Sequence, residues 1–135
     1  MKTDANVLVV DDNGFIRTAV SRMLTRLGYE VTSADSGQKG LIVFLQKKID
    51  LVLSDYEMPG MDGVDFAWSI KQCSPRTPVV IMTGAGKENV FSRKSTAVDE
   101  VISKPFTSAK IDETIQNLSD GAFRAYPYPS GTTLR

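Results

Sequence analysis

Leu51-Val52-Leu53-Ser54-Asp55-Tyr56-Glu57-Met58-Pro59-Gly60-Met61-Asp62-Gly63 is an apolar run that ends abruptly at an acid and passes into a broken loop. The first half is continuously apolar, without alternation, which predicts a strand buried on both faces, as in a parallel sheet. The second half can continue neither strand nor helix, because Pro59 and the glycines interrupt both. Asp55 is therefore presented at the C-terminal end of a central strand, the edge where open α/β sheets bind ligands. An acid in this position also serves as a cap for the next helix. The decision between the two readings rests on what the other strands bring to the same edge.

Upstream, Val7-Leu8-Val9-Val10 reads as another buried strand, stopped by Asp11-Asp12-Asn13-Gly14. Ile16, Val20, Met23, Leu24 and Leu27 then share one face of an amphipathic helix that Gly28 ends as a C′ residue. Glu30–Ala34 is a more polar strand suited to an edge, and Ser36-Gly37 opens a helix to about Lys47 with Leu41, Phe44 and Leu45 facing inward. Downstream, a helix over Val64–Ser74 carries Phe66, Ala67 and Ile70 on its core side. Val79–Met82 is a uniformly apolar strand, and Thr83-Gly84-Ala85-Gly86 closes it. A mostly polar helix from about Lys87 to Thr96, a short strand Val101–Ser103 and a helix Ser108–Leu118 with Ile111, Ile115 and Leu118 complete the pattern.

Five strands alternating with five helices predict an α/β fold, a doubly wound five-stranded parallel sheet in the flavodoxin-like order 2-1-3-4-5. The three apolar strands fall in the middle. A crevice opens above the strands beginning at Val7 and Leu51, where the winding direction reverses. Residues 1–120 form this domain; residues 121–135, with Phe123, Tyr126 and Tyr128 among glycines and prolines, have no period and read as a flexible tail.

The 135 residues suit one domain, and 41% hydrophobic content supplies a core. Sixteen basic residues against sixteen acidic ones give no case for nucleic-acid binding. Arg17, Arg22 and Arg26 read as an ordinary solvated helix face. A single cysteine, Cys73, precludes an internal disulfide, and the absence of histidine removes the usual general base and the commonest transition-metal ligand. No apolar run approaches the roughly 20 residues that span a bilayer, and no secretory signal opens the chain. The expected location is the cytoplasm.

The strand ends carry Asp11 and Asp12, Asp55, Thr83 and Lys104, all on one edge because the strands are parallel. Crowded carboxylates repel, so the cluster calls for a cation or for raised pKa values. Oxygen-only ligands favour a hard ion, Mg²⁺ by default, and Mg²⁺ shares its coordination readily with phosphate. Lys104 and the Thr83 hydroxyl would meet the oxygens of a phosphoryl group, with Asp55 as nucleophile. Gly84-Ala85-Gly86-Lys87 is not a nucleotide-binding loop, since Glu88 follows the lysine and the earlier glycine is missing.

These residues resemble the receiver domain of two-component response regulators. The likeness runs from about Asn6 to Leu118 and rests on Val-Leu-Val-Val-Asp11-Asp12, Asp55 with Met58-Pro59-Gly60-Met61-Asp62-Gly63, Met82-Thr83-Gly84, and Lys104-Pro105-Phe106. The resemblance implies that Asp55 takes a phosphoryl group from a phosphohistidine on a sensor histidine kinase or histidine phosphotransfer protein. It implies Mg²⁺ held by Asp12, Asp55 and the backbone carbonyl of Glu57, with Asp11 acting partly through water. It further implies that Thr83 and Lys104 hold the phosphoryl oxygens and that the Lys104–Pro105 bond is cis.

One position departs from the family pattern. Many receivers carry an aromatic residue three positions before the lysine, where this chain has Val101, a side chain with few rotamers. Switching is then expected to move the Thr83–Gly86 loop and the helix after it. With no DNA-binding or catalytic domain in the sequence, the expected output is protein contact with an unidentified partner or onward phosphorelay. The expected contact surface, including a homodimer contact, is the helix at 87–96, the fifth strand and the last helix. Neither nucleic acid nor membrane is an expected partner. The rival readings are a phospho-independent interaction scaffold and an aspartyl phosphatase, the latter disfavoured because Asp11-Asp12-Asn13 lacks the D-x-D spacing.

Overall fold

The computed structural model describes residues 5–84, 90 and 96–119. Five strands, β1 (Asn6–Val10), β2 (Glu30–Ala34), β3 (Leu51–Asp55), β4 (Val79–Thr83) and β5 (Glu100–Ser103), form one parallel sheet in the order β2-β1-β3-β4-β5. The helices among the described residues are α1 (Gly14–Arg26), α2 (Gly37–Gln46), α3 (Gly63–Cys73) and α4 (Ser108–Ser119). The expected topology, the central place of the three apolar strands and the more polar edges are all present. The helix expected over 87–96 lies outside the described residues apart from Val90, which is helical and buried, and the tail at 121–135 lies outside them altogether.

The period of two along each strand explains why the central runs are apolar without a break. Leu8, Val10, Val52, Val79, Ile81 and Val101 pack on one face of the sheet with Phe66, Ala67 and Ile70 of α3 and, at the rim, Leu41, Val43 and Phe44 of α2. Val7, Val9, Leu51, Leu53, Val80, Met82 and Ile102 pack on the other with Val20 and Leu24 of α1 and Ile111 and Ile115 of α4. Burying each of these large side chains stabilises the fold by roughly 1.5–3 kcal/mol before the entropy of ordering is subtracted. Two layers of helices over the buried central strands leave the carboxyl edge of the sheet as the place where polar side chains gather.

Helix boundaries follow local chemistry. Asn13 caps α1 by accepting from the Phe15 and Ile16 amides, Ser36 caps α2, and Asp62 caps α3. Gly28, at φ 101°, ends the first helix as the sequence predicts. One inward assignment is corrected: Leu45 of α2 is 65% exposed, and Val43 takes the buried side instead. At Gly40 the helix lies so close to Phe66 and Val10 that a Cβ would collide with both. This contact fixes the rotation of α2 and turns Leu45 outward.

Candidate functional site

The β1 and β3 ends are brought side by side by the register Val10↔Ser54, which leaves Asp11 and Asp55 one step further along adjacent strands. Asp11 is fully buried and Asp55 nearly so, whereas Asp12 is exposed. One carboxylate oxygen from each of Asp11, Asp12 and Asp55 can be chosen so that all lie within 4.8 Å of one another. Asp55 Oδ1 accepts from the Tyr56 amide at 3.0 Å and from Lys104 Nζ at 3.0 Å. The same ammonium lies 3.8 Å from Asp11 Oδ2.

Asp11 is held on several sides. Its amide donates to the Ala34 carbonyl at 3.2 Å, its carbonyl accepts from Arg17 Nη1 at 2.8 Å, and its Oδ1 accepts from the Asn13 amide at 2.9 Å. Its Oδ2 is buried and lacks a hydrogen bond. Burial pushes the Asp11 carboxyl above the usual carboxylate range; the Asn13 amide opposes this shift and the Asp55 charge adds to it. A buried acceptor left without a donor costs about 1–3 kcal/mol, so the cluster is poised to gain from a cation. An all-carboxylate donor set suits a hard ion such as Mg²⁺ or Ca²⁺ and fits the group expected here.

Thr83 ends β4 and is buried, and its carbonyl accepts from the Lys104 amide at 2.8 Å. That bond holds the β5 exit against the β4 exit, so Lys104 enters the acid cluster from the side where Thr83 lies. The Lys104–Pro105 peptide is cis, in line with the resemblance. Gly63 opens α3 directly behind the site: its amide donates to the Tyr56 carbonyl at 2.8 Å, and a Cβ there would strike the Asp55 carbonyl. Glu57 is exposed in the loop after β3.

The family model for the response regulator receiver domain matches residues 7–116. The chain belongs to the response regulator receiver family. This receiver domain is 34% identical over 115 residues to a probable chemotaxis protein CheY of Rhizobium etli, covering 82% of this chain and 88% of that one. It is 33% identical over 111 residues to the autoinducer 1 sensor kinase/phosphatase LuxN of Vibrio campbellii, covering 82% of this chain but only 13% of LuxN. Among solved structures it is similar to the response regulator TrrA of Thermotoga maritima, a complex with Mg²⁺–BeF, at 30% identity and a TM-score of 0.77 over 84% of this chain and 98% of that one. As a family, receiver domains are signalling modules of two-component systems.

In this receiver domain the residues predicted from the sequence occupy one edge of the sheet, with Asp11, Asp12 and Asp55 in mutual reach and Lys104 close to Asp11 and Asp55. Val101 is fully buried within the core and pairs in register with Ile81. Arg17 is a correction to the sequence reading: it is half-buried and donates into the site, unlike Arg22 and Arg26, which are exposed. Asn13 and the Tyr56 amide are also part of the site's support. No spacing rule singles out Arg17, since its six-residue separation from Asp11 is bridged only by the turn between β1 and α1. Among the described residues no helix is long and apolar enough to cross a membrane.

Proposed function

We propose that Asp55 is the phosphoacceptor of a two-component pathway, charged by a phosphohistidine of a sensor histidine kinase or histidine phosphotransfer protein in the cytoplasm. A carboxylate oxygen of Asp55 attacks phosphorus, the P–N bond to the imidazole breaks, and the imidazole leaves with the electron pair and takes up a proton. An acyl phosphate on Asp55 results. Lys104 gives up its bond to Asp55 Oδ1 and pairs with the phosphoryl oxygens, and the Thr83 hydroxyl donates to another of them. Asp12, Asp55 and the Glu57 carbonyl would hold Mg²⁺, with Asp11 beside them in the acid cluster. When bound, the ion neutralises charge that builds on the transferring oxygens.

The observation that carries this reading is the convergence of three carboxylates within 4.8 Å, with Asp11 Oδ2 buried and without a hydrogen bond. Such a cluster is electrostatically incomplete by itself, and a phosphate-sharing divalent ion completes it. The Mg²⁺–BeF bound to TrrA supports the same assignment by similarity. Output then passes to a protein partner, through onward phosphorelay or through a surface around β5 and α4 that also serves for homodimer contact.

Intact-mass spectrometry after incubation with acetyl phosphate and Mg²⁺ tests the assignment. The wild type gains one phosphoryl group and Asp55→Asn gains none. A wild-type chain that stays unmodified overturns it and leaves a phospho-independent interaction scaffold.

A further inference from the structure

Asp12 differs from its two acidic neighbours in how it is held. Asp11 is buried and fixed by the Ala34 carbonyl and the Asn13 amide, and Asp55 by the Tyr56 amide and Lys104. Asp12 is exposed, and its carboxylate makes no hydrogen bond or ion pair with the described residues. Among the described residues, only its backbone therefore sets the direction in which the side chain leaves the chain. The peptide unit joining Asp11 to Asp12 is planar, so fixing the Asp11 carbonyl also fixes the Asp12 amide and Cα. The contact that fixes this carbonyl is the bond from Arg17 Nη1 at 2.8 Å, a charge-assisted bond reaching back from the second turn of α1.

We propose that Arg17 is a positioning residue for the Asp12 carboxylate, acting by clamping the Asp11–Asp12 peptide. The inference rests on the reading that Asp12 is a Mg²⁺ ligand. It makes the first helix part of the metal site, since the acid pair is braced by a side chain from the element that follows it. Support of this kind beyond the ligands themselves is what keeps a metal site in one geometry.

Charge and positioning make opposite predictions for the loss of Arg17. Removing a cation near an acidic cluster strengthens binding of a divalent ion if only the charge matters. Removing the clamp lets the peptide plane rotate and weakens binding. Calorimetric titration of the full chain with MgCl₂ separates the two. Arg17→Ala is expected to weaken Mg²⁺ binding about ten-fold, the size typical of lost support behind a metal ligand. Arg17→Lys recovers part of that loss because an ammonium also donates to a carbonyl. Arg22→Ala, one face away on the same helix, leaves the affinity as in the wild type.

Backbone ¹⁵N relaxation of the Asp12 amide in metal-free buffer provides a second readout. Added millisecond exchange at Asp12 in Arg17→Ala, absent in Arg22→Ala, supports the clamp. An unchanged or tighter Mg²⁺ affinity in Arg17→Ala, with only a lower melting temperature, overturns the proposal and leaves Arg17 as a structural donor. A wild type that binds no Mg²⁺ overturns the metal reading itself, and the Asp12 relaxation alone then decides whether the clamp exists.

Discussion

Lys104 Nζ lies 3.0 Å from Asp55 Oδ1, joining the exits of β5 and β3 across the intervening strand β4. Both side chains are mostly shielded, at 20% and 10% exposure, so the pair is only weakly screened by water. Breaking a buried pair by removing one partner leaves an uncompensated charge. Lys104→Met should therefore lower unfolding stability by about 1–3 kcal/mol, less than a fully buried pair because some solvent reaches the lysine. A double-mutant cycle with Asp55→Asn in urea should return most of that loss as coupling.

Asp11 is buried beside the Asp55 carboxylate, and its Oδ2 lacks a hydrogen bond although the Lys104 ammonium stands 3.8 Å away. Asp11→Asn removes the repulsion and places an amide donor within the cluster. In metal-free buffer at neutral pH the variant should be more stable by about 1 kcal/mol, the scale of one restored buried hydrogen bond. The same variant should lose the stabilisation that Mg²⁺ gives the wild type. Thermal melts with and without MgCl₂ check both statements.

Tyr29 is buried, donates to Asp112 Oδ1 at 2.8 Å and accepts from Gln116 Nε2 at 3.1 Å, tying the α1–β2 turn to α4. Burial, followed by the Asp112 charge, holds its phenol well above the ordinary value of 10.0. The native state thus keeps the proton that the unfolded chain releases. The resulting stabilisation is complete below the unfolded pKa near 10 and is lost as pH rises from there toward the higher folded value. Tyr29→Phe should cost about 1–2 kcal/mol at pH 7, the range of a hydrogen bond to a partly solvated charge. The gap between wild type and variant should stay constant below pH 10 and narrow above it, as read from urea melts.

Gly63 and Gly84 offer a matched pair of alanine substitutions. A Cβ at Gly63 would strike the Asp55 carbonyl and lie 3.0 Å from Ile81 Cδ1, whereas one at Gly84 meets nothing within 4 Å. Gly63→Ala should destabilise by about 1–3 kcal/mol through overpacking. It should also slow acyl-phosphate formation, because the displaced atom belongs to the backbone of Asp55. Gly84→Ala should leave stability within about 0.5 kcal/mol, as surface changes do. Equal effects at the two positions would contradict the close approach of α3 to the end of β3.

By itself the sequence determined the sheet, its strand order and the edge at which Asp11, Asp12, Asp55, Thr83 and Lys104 gather. These follow from local rules: uninterrupted apolar runs where both faces are covered, glycine and proline where elements stop, and parallel strands that end on one side. Only the tertiary structure decided how those side chains are held. Arg17 reads in the sequence as solvated, like Arg22 and Arg26, yet turns inward, because the packed α1 brings it within reach of the Asp11 carbonyl just past the end of β1. Leu45 looks as apolar as Val43 and lies outside, because Gly40 presses α2 against Phe66 and sets its rotation. A periodic pattern specifies which face of an element is apolar, but the rotation of that face, and the partner each polar atom finds, depend on contacts between segments distant in the chain.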